Sequence, residues 1–322
     1  MDNNDSENIL DKKSWPWNFT PDAVNQDENT QLPKITIVTP SYNQADFIEE
    51  TILSIINQNY PNLEYIIIDG GSTDNSIEII KKYQKHIDYW VSEKDYGQSH
   101  AINKGFARAT GDILNWINSD DVLCENALLK IGESYLNRKN DNLIIIGSGY
   151  EIDEKSMITQ ERKALHNIDS NSNLYINIVG KPIQQSIFFS KKINNEVGGI
   201  NPLIRYPMDI DLYFKFGFLE PEIIIIDNFV ASFRKHSNSK TVSQDYKMLL
   251  EKINLLQYLK YYDQNKLFYK NQISSYIISF SFRGISFKEK IKLCRGFFKN
   301  TSFNKKSRYK YRILFSKIIN SN

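Results

Sequence analysis

KITIVTPSYNQADFIEETILSIIN, residues 34–57, is a short β-branched run, then a polar loop, then a segment with apolar residues at 47, 48, 52, 55 and 56. That is the pattern of a buried strand, a turn and an amphipathic helix. The cycle repeats at once. Leu63–Ile68 (LEYIII) reads as a second strand, Asp69-Gly70-Gly71-Ser72-Thr73-Asp74 as a turn with helix-capping residues, and Ser76–Tyr83 as a helix. Tyr89–Val91, Glu93–Gly97 and Gln98–Ala109 supply a third strand, loop and helix. Ile113–Ile117 (ILNWI) is a fourth strand that enters Asn118-Ser119-Asp120-Asp121 and a helix over Glu125–Asn137. Strand and helix alternating at this spacing predict parallel strands with right-handed crossovers. In such sheets ligands sit beyond the carboxyl ends of the strands, and three of the loops there carry acids: Asp69, Asp95, and Asp120 with Asp121.

The rest of the chain is read around this block. Its 322 residues, 41% hydrophobic and 24% charged, can bury a sizeable core. No run of about 18 apolar residues exists, which excludes a spanning helix. Cys124 and Cys294 lie far apart and near no paired His or Cys, arguing against a disulfide framework and a zinc site. A reducing cytosol is the expected compartment, and the acidic start MDNNDSENILDKK is read as neither a signal nor a transit peptide. Residues 1–33 are expected to form an arm whose Trp15, Trp17 and Phe19 pack on the domain. From Leu143 to about Arg234 strands are expected near 143–150, 183–189 and 223–233, with a helix near Asp209–Phe216. Beyond Thr241 the pattern turns helical. From Arg283 onward there are 12 Lys and Arg against one acid, Glu289, so a tail of +11 follows a body of −9.

Each candidate residue has a structural reading beside the functional one. Asp69 ends a buried strand, where a carboxylate is costly unless paired; it can cap the GGSTD turn or read a base. The Gly-Gly here fits neither a G-x-G-x-x-G nor a G-x-x-x-x-G-K-[ST] loop, so backbone cradling of phosphate is not supported. Asp120 and Asp121 can cap a helix or hold Mg²⁺ or Mn²⁺ with a diphosphate. His236, in Ser232-Phe233-Arg234-Lys235-His236, can be a core or surface residue or a metal ligand, with Arg234 a candidate phosphate contact. Asp209 and Asp211 open a helix, either as partners of its dipole or, if the helix faces the pocket, with one carboxylate as general base.

The stretch ITIVTPSYNQADFIEETILSIINQNYPNLEYIIIDGGSTDNSIEIIKKY, followed by YWVSEKDYGQSHAINKGFARATGDILNWINSDD, strongly resembles the family-two glycosyltransferases with the GT-A fold, from about Lys34 to His236. The resemblance implies a Rossmann-like mixed sheet flanked by helices. It also implies inverting transfer of a sugar from a nucleotide diphosphate sugar, usually UDP-linked, to an acceptor hydroxyl. Pro40, Tyr42 and Asp69 match nucleoside-binding positions; Asp95 in SEKDYG and Asn103 in AINKG match positions lining the donor site. Asp120 matches the metal-binding carboxylate of the family's D-x-D motif and Asp121 the acid beside it. The first Asp of that motif is Asn118 here, leaving Asp120 as principal ligand. Lys94 and Tyr96 stand where relatives often carry Pro and Arg, so the phosphate-binding guanidinium is either missing or replaced by Lys94 or Lys104. Asp209 aligns with the catalytic base, Gln185 with a polar residue at the pocket edge, and FRKH resembles the late R-x-H motif, making His236 a metal or diphosphate ligand.

The expected organisation is therefore an arm over 1–33, a GT-A domain over 34–240 and a helical basic extension over 241–322. Within the domain, 34–121 would be the nucleotide-sugar half and 122–240 the acceptor half. The expected partners are a nucleotide diphosphate sugar and a glycan or lipid-linked acceptor, with Mn²⁺ or Mg²⁺ as cofactor. The basic tail is expected to meet the anionic cytoplasmic face of a membrane, and no recognition motif points to nucleic acid. The competing readings are a catalytically weak sugar-nucleotide-binding subunit and a nucleotidyltransferase. The latter needs a glycine- and basic-rich loop after the first strand, which PSYNQ does not supply.

Overall fold

The computed structural model describes residues 15–16, 32–136, 138–164, 182–237, 239, 251 and 254–256. The chain divides into two units at Ser243 and Gln244, and the architecture below is that of the first. Most of the expected arm, including Trp17 and Phe19, and the basic run from Arg283 onward lie outside the described residues.

The first half follows the expected rhythm. Strands β1 (Ile35–Ser41), β2 (Leu63–Asp69), β3 (Tyr89–Ser92) and β4 (Ile113–Trp116) alternate with helices α1 (Ile48–Ile56), α2 (Ser76–Tyr83) and α3 (Gln98–Arg108). These four strands are parallel, in the order β3-β2-β1-β4. Because β1 and β2 are covered on both faces, they carry apolar residues facing each way. Ile35, Ile37, Tyr65 and Ile67 pack against Ile48, Ile52 and Ile55 of α1 and Ile80 of α2. Val38, Ile66 and Ile68 face Ala101, Ile102 and Phe106 of α3. A Cβ on Gly105 would stand 2.4 Å from Val38 Cγ1, so the glycine is what lets α3 lie this close to β1.

The second half departs from a simple repeat. Val122–Leu123 forms a short strand, β5, before helix α4 (Ala127–Leu136), because it pairs antiparallel with Ala231 and Ser232. The helix expected from Glu125 begins only after Asn126, which adopts a φ of 58°. β6 (Leu143–Ile152) lies between β8 (Ile187–Ser190), antiparallel to it, and β9 (Glu222–Arg234), parallel to it. An exposed strand that the pattern did not signal, β7 (Ile158–Arg162), pairs with the far end of β6. Helices α5 (Lys191–Val197) and α6 (Met208–Gly217), with short 3-10 turns over Gln84–His86 and Gln184–Ser186, complete the described elements of this unit. The sheet order is β3-β2-β1-β4-β8-β6-β9-β5, the mixed, helix-flanked sheet of a GT-A fold. Trp15 belongs to this unit: its indole N–H donates to the Leu123 carbonyl at 2.8 Å.

At the amino ends of the strands a buried carboxylate locks the halves of the βαβ unit together. Glu64 accepts hydrogen bonds from the Thr36 hydroxyl at 2.6 Å, the Thr110 hydroxyl at 2.6 Å and the Thr110 amide at 2.7 Å, with Lys34 Nζ 3.4 Å away. Burial alone would raise its pKa. The bonds from Thr110 and Thr36, with the charge of Lys34, outweigh that and hold it below the ordinary value of 4.5. A folded pKa below the unfolded one means stability that is present above 4.5 and is lost as pH falls through the lowered value. Glu64→Gln is expected to cost about 1–3 kcal/mol at neutral pH and to flatten the acid limb of a plot of Tm against pH. An acid limb as steep as that of the wild type would show that Glu64 does not carry it.

Candidate functional site

The acids at the strand ends are met by donors in different ways. Asp69 has no exposed surface. Its Oδ1 accepts from the amides of Gly71 at 3.0 Å and Ser72 at 2.9 Å and from the Ser92 hydroxyl at 2.6 Å; its Oδ2 accepts from the Ser72 hydroxyl. The carboxylate is spent on folding the DGGSTD turn and tying it to the end of β3. The β1 loop is then laced to this turn: the amides of Asn43, Gln44 and Ala45 donate to Ser72 Oγ, Ser76 Oγ and Asp74 Oδ2 at 2.8, 2.9 and 2.9 Å. Pro40 is buried within β1, whereas the ring of Tyr42 stands 59% exposed above the loop.

The half-buried Asp95 carboxylate lies directly over Gly70; a Cβ there would meet Asp95 Oδ2 at 3.0 Å. Gly70 thus leaves room for an acid from the neighbouring loop. Lys104 is paired with Glu93, and Lys94 is exposed. Asn103 makes a two-way clamp on a later segment, donating to the Ile200 carbonyl at 2.6 Å and accepting from the Ile200 amide at 2.9 Å. Ser99, one turn earlier, donates to the Ile204 carbonyl at 2.9 Å and lies 2.9 Å from Met208 Sδ. These contacts seat the loop and the start of α6, and so place Asp209, on the first turn of α3. Asp211 is buried and paired with Lys215 at 2.7 Å. Burial, and after it the charge of Asp209, pushes the phenol of Tyr213 well above its usual range.

The loop after β4 gathers the remaining candidates. Asp121 is wholly buried. Its Oδ2 accepts from the side-chain amides of Gln185 at 2.5 Å and Asn118 at 2.8 Å, and its Oδ1 from the backbone amide of Arg234 at 2.9 Å. Burial, and then the charge of Asp120, drives its carboxyl upward; the three donors oppose that shift. Asn118 also accepts from Gln98 at 2.6 Å. A carboxylate at 118 would face Asp121 with no proton to offer, which explains why an amide occupies the first position of the motif.

Asp120 points the other way, its side chain 17% exposed, and its Oδ2 lies 3.0 Å from His236 Nε2. A hollow of about 400 Å³ opens beside His236, lined by Asp153, Glu154, Lys155, Lys235 and Ser237. A second hollow, near 290 Å³, lies by Lys34, Asn62 and Asp112 at the amino ends of the strands, away from these acids. Arg234 is 1% exposed and is consumed by Glu50 at 2.6 Å, so its guanidinium does not reach a phosphate.

Among the described residues no cluster of three or more acids, His or Cys is built to hold an ion by itself. The Asp120 and His236 pair nonetheless fits a hard divalent ion that takes its other ligands from a diphosphate and water. In the structure the two side chains are joined by a hydrogen bond, 3.0 Å between Nε2 and Oδ2, and it is their chemistry, one carboxylate oxygen and one imidazole nitrogen side by side, that would suit such an ion. Glu50, Phe47 and the buried role of Gln185 were missed at the level of sequence. A signal existed for Glu50, because an arginine at the end of an apolar strand requires an anionic partner.

Residues 36–198 match glycosyl transferase family 2. An uncharacterized glycosyltransferase of Rickettsia typhi is 30% identical over 198 residues, covering 59% of this chain and 60% of the relative. The putative teichuronic acid biosynthesis glycosyltransferase TuaG of Bacillus subtilis is 36% identical over 111 residues, covering 33% and 43%. The chain thus spans less than two thirds of these relatives' length. Residues 1–349 of S. aureus TarS in complex with UDP-GlcNAc align with a TM-score of 0.56 at 13% identity, over 76% of this chain and 71% of that one. At that identity the likeness is one of fold.

The arrangement around Asp121 makes Asn118→Asp informative. The new acid would have its pKa raised by its buried neighbour, so the variant should be destabilised above that raised pKa and recover as protonation restores a donor. A loss of about 1–3 kcal/mol at pH 8 that shrinks toward pH 5 is expected in thermal unfolding. A loss independent of pH would contradict this account.

Proposed function

The chain belongs to glycosyl transferase family 2, and from that premise we propose that it moves a sugar from a UDP-linked donor to a hydroxyl of a glycan or lipid-linked saccharide, with inversion. The observation that carries the reading is the Asp120 and His236 pair, 3.0 Å apart at the carboxyl end of the parallel sheet, beside the two laced loops that follow β1 and β2. The TarS structures with UDP and UDP-GlcNAc support a uridine nucleotide donor on the same fold, and the name of TuaG supports an envelope polysaccharide as product.

The residues divide the work by their chemistry. Pro40, Tyr42 and the loops organised by Asp69, with Asp95 over Gly70, would receive the nucleoside. Asp120 and His236 would hold Mn²⁺ or Mg²⁺, whose charge would offset that developing on the leaving diphosphate. Asp121 does not ligate in this scheme; its three donors hold the loop that presents Asp120. Asp209 takes the proton of the acceptor hydroxyl as its oxygen forms a bond to the anomeric carbon and the bond from that carbon to the diphosphate breaks. One displacement inverts the centre, and no protein nucleophile is required.

Among the described residues no helix is long and apolar enough to cross a membrane. We propose that the +11 run from Arg283 onward supplies reversible attachment to an anionic surface. Full-length protein should co-sediment with anionic vesicles at low salt and lose that binding when residues 283–322 are removed; equal binding by both forms would refute the attachment.

Asp209→Asn is expected to keep UDP affinity, read by thermal shift, and to lose transfer by about 10²-fold or more. Donors are screened first as a panel of nucleotide sugars with Mn²⁺, where a ligand at 100 times its Kd adds about 2.7 kcal/mol of stability. Lost UDP affinity at an unchanged rate would move Asp209 out of the role of base.

A further inference from the structure

Arg234, 1% exposed, is among the most deeply buried charged side chains described. A guanidinium removed from water is costly unless it is paired, and here all three of its nitrogens find acceptors. Its Nη2 lies 2.6 Å from Glu50 Oε2 on α1; Nη1 donates to Ser156 Oγ at 2.8 Å and to the Asp153 carbonyl at 3.2 Å; Nε donates to the Asp120 carbonyl at 2.8 Å. Ser156 in turn donates to Glu50 Oε1 at 2.8 Å, closing the ring. Phe47, one helical turn before Glu50, packs against the guanidinium at 5.2 Å and against the His236 ring at 4.6 Å.

The same residue therefore grips Asp120 by its carbonyl and Asp121 by its own amide, and stands two positions before His236. We propose that the Glu50–Arg234 ion pair is a positioning device that sets the spacing of Asp120 and His236 and thereby the affinity of the site for a divalent ion. Glu50 acts through Arg234 and touches neither ion nor substrate. Without its charge, the guanidinium has no anionic partner in the interior, its fork turns toward water, and the Asp120 carbonyl loses its donor. Lys at 234 keeps a charge for Glu50 but has no Nε to reach Asp120. Outer partners of metal ligands commonly control affinity in this way.

The proposal rests on the reading of Asp120 and His236 as metal holders, and its test separates the two. Full-length protein with UDP present is titrated with Mn²⁺, and the electron paramagnetic resonance signal of free Mn²⁺ is followed against a protein-free control. Glu50→Gln and Arg234→Lys are expected to weaken Mn²⁺ binding by about 10- to 100-fold, and Ser156→Ala, the mildest change, by less. Glu64→Gln, which weakens the fold far from the site, should leave the Mn²⁺ affinity unchanged. If Glu50→Gln and Arg234→Lys unfold cooperatively and bind Mn²⁺ as the wild type does while Asp120→Ala does not, the positioning role is overturned and the metal reading stands. If Glu50→Gln does not fold, wild-type affinity in Ser156→Ala together with Arg234→Lys overturns it equally. If Asp120→Ala binds Mn²⁺ as the wild type does, both fail.

Discussion

A carboxyl group with no exposed surface sits in the loop between β4 and β5, and the residues around it are arranged by the need to satisfy it. Asp121 draws its donors from three places far apart in sequence: Asn118 in its own loop, Gln185 in the turn before β8, and the Arg234 amide at the end of β9. Leaving such a buried polar group unmet would cost about 1–3 kcal/mol. Meeting it forces the end of β9 against the loop after β4, and His236, two residues further on, arrives beside Asp120 as a consequence. The half-buried acid of the pair is placed by the needs of the fully buried one.

Asp69 repeats the principle at the end of β2. Its oxygens are saturated by Ser72, Gly71 and Ser92, so the turn that follows is a rigid shelf on which the β1 loop hangs by three amides. Under the proposed function, a shelf fixed in advance would spare a nucleotide the entropy of ordering loops on arrival. The ring of Tyr42 stands 59% exposed, and in the β3 loop the ring of Tyr96, 93% exposed, meets His100 edge-on. Asp69 itself holds the backbone.

The two halves of the domain are coupled by α3. Its first turns carry Ser99 and Asn103, which pin the segment 200–208 and so the start of α6. Gly199, at a φ of 73°, has no room for a Cβ beneath Asn103 Oδ1, 2.8 Å from where one would stand. Helix α3, which follows the β3 loop, thus sets the position of the helix that carries Asp209.

The succession of strands and helices from Lys34 to Trp116, the acids at the strand ends, and the kinship carried by their motifs were legible in the sequence, because periodicity and turn chemistry are local. What each polar group does was not. Asp69 and Asp121 look alike in sequence to acids that bind ligands, and Arg234 looks like a phosphate contact. Only the folded chain spends Asp69 on a turn, surrounds Asp121 with amides and buries Arg234 against Glu50, a residue 184 positions away. The short strands β5 and β7 were likewise hidden, since two to five residues become strands only when β9 and β6 offer an edge to pair with. A side chain's partner is chosen by which distant segments close on it, and the cost of desolvating a charge, which makes that choice, exists only once the interior has formed.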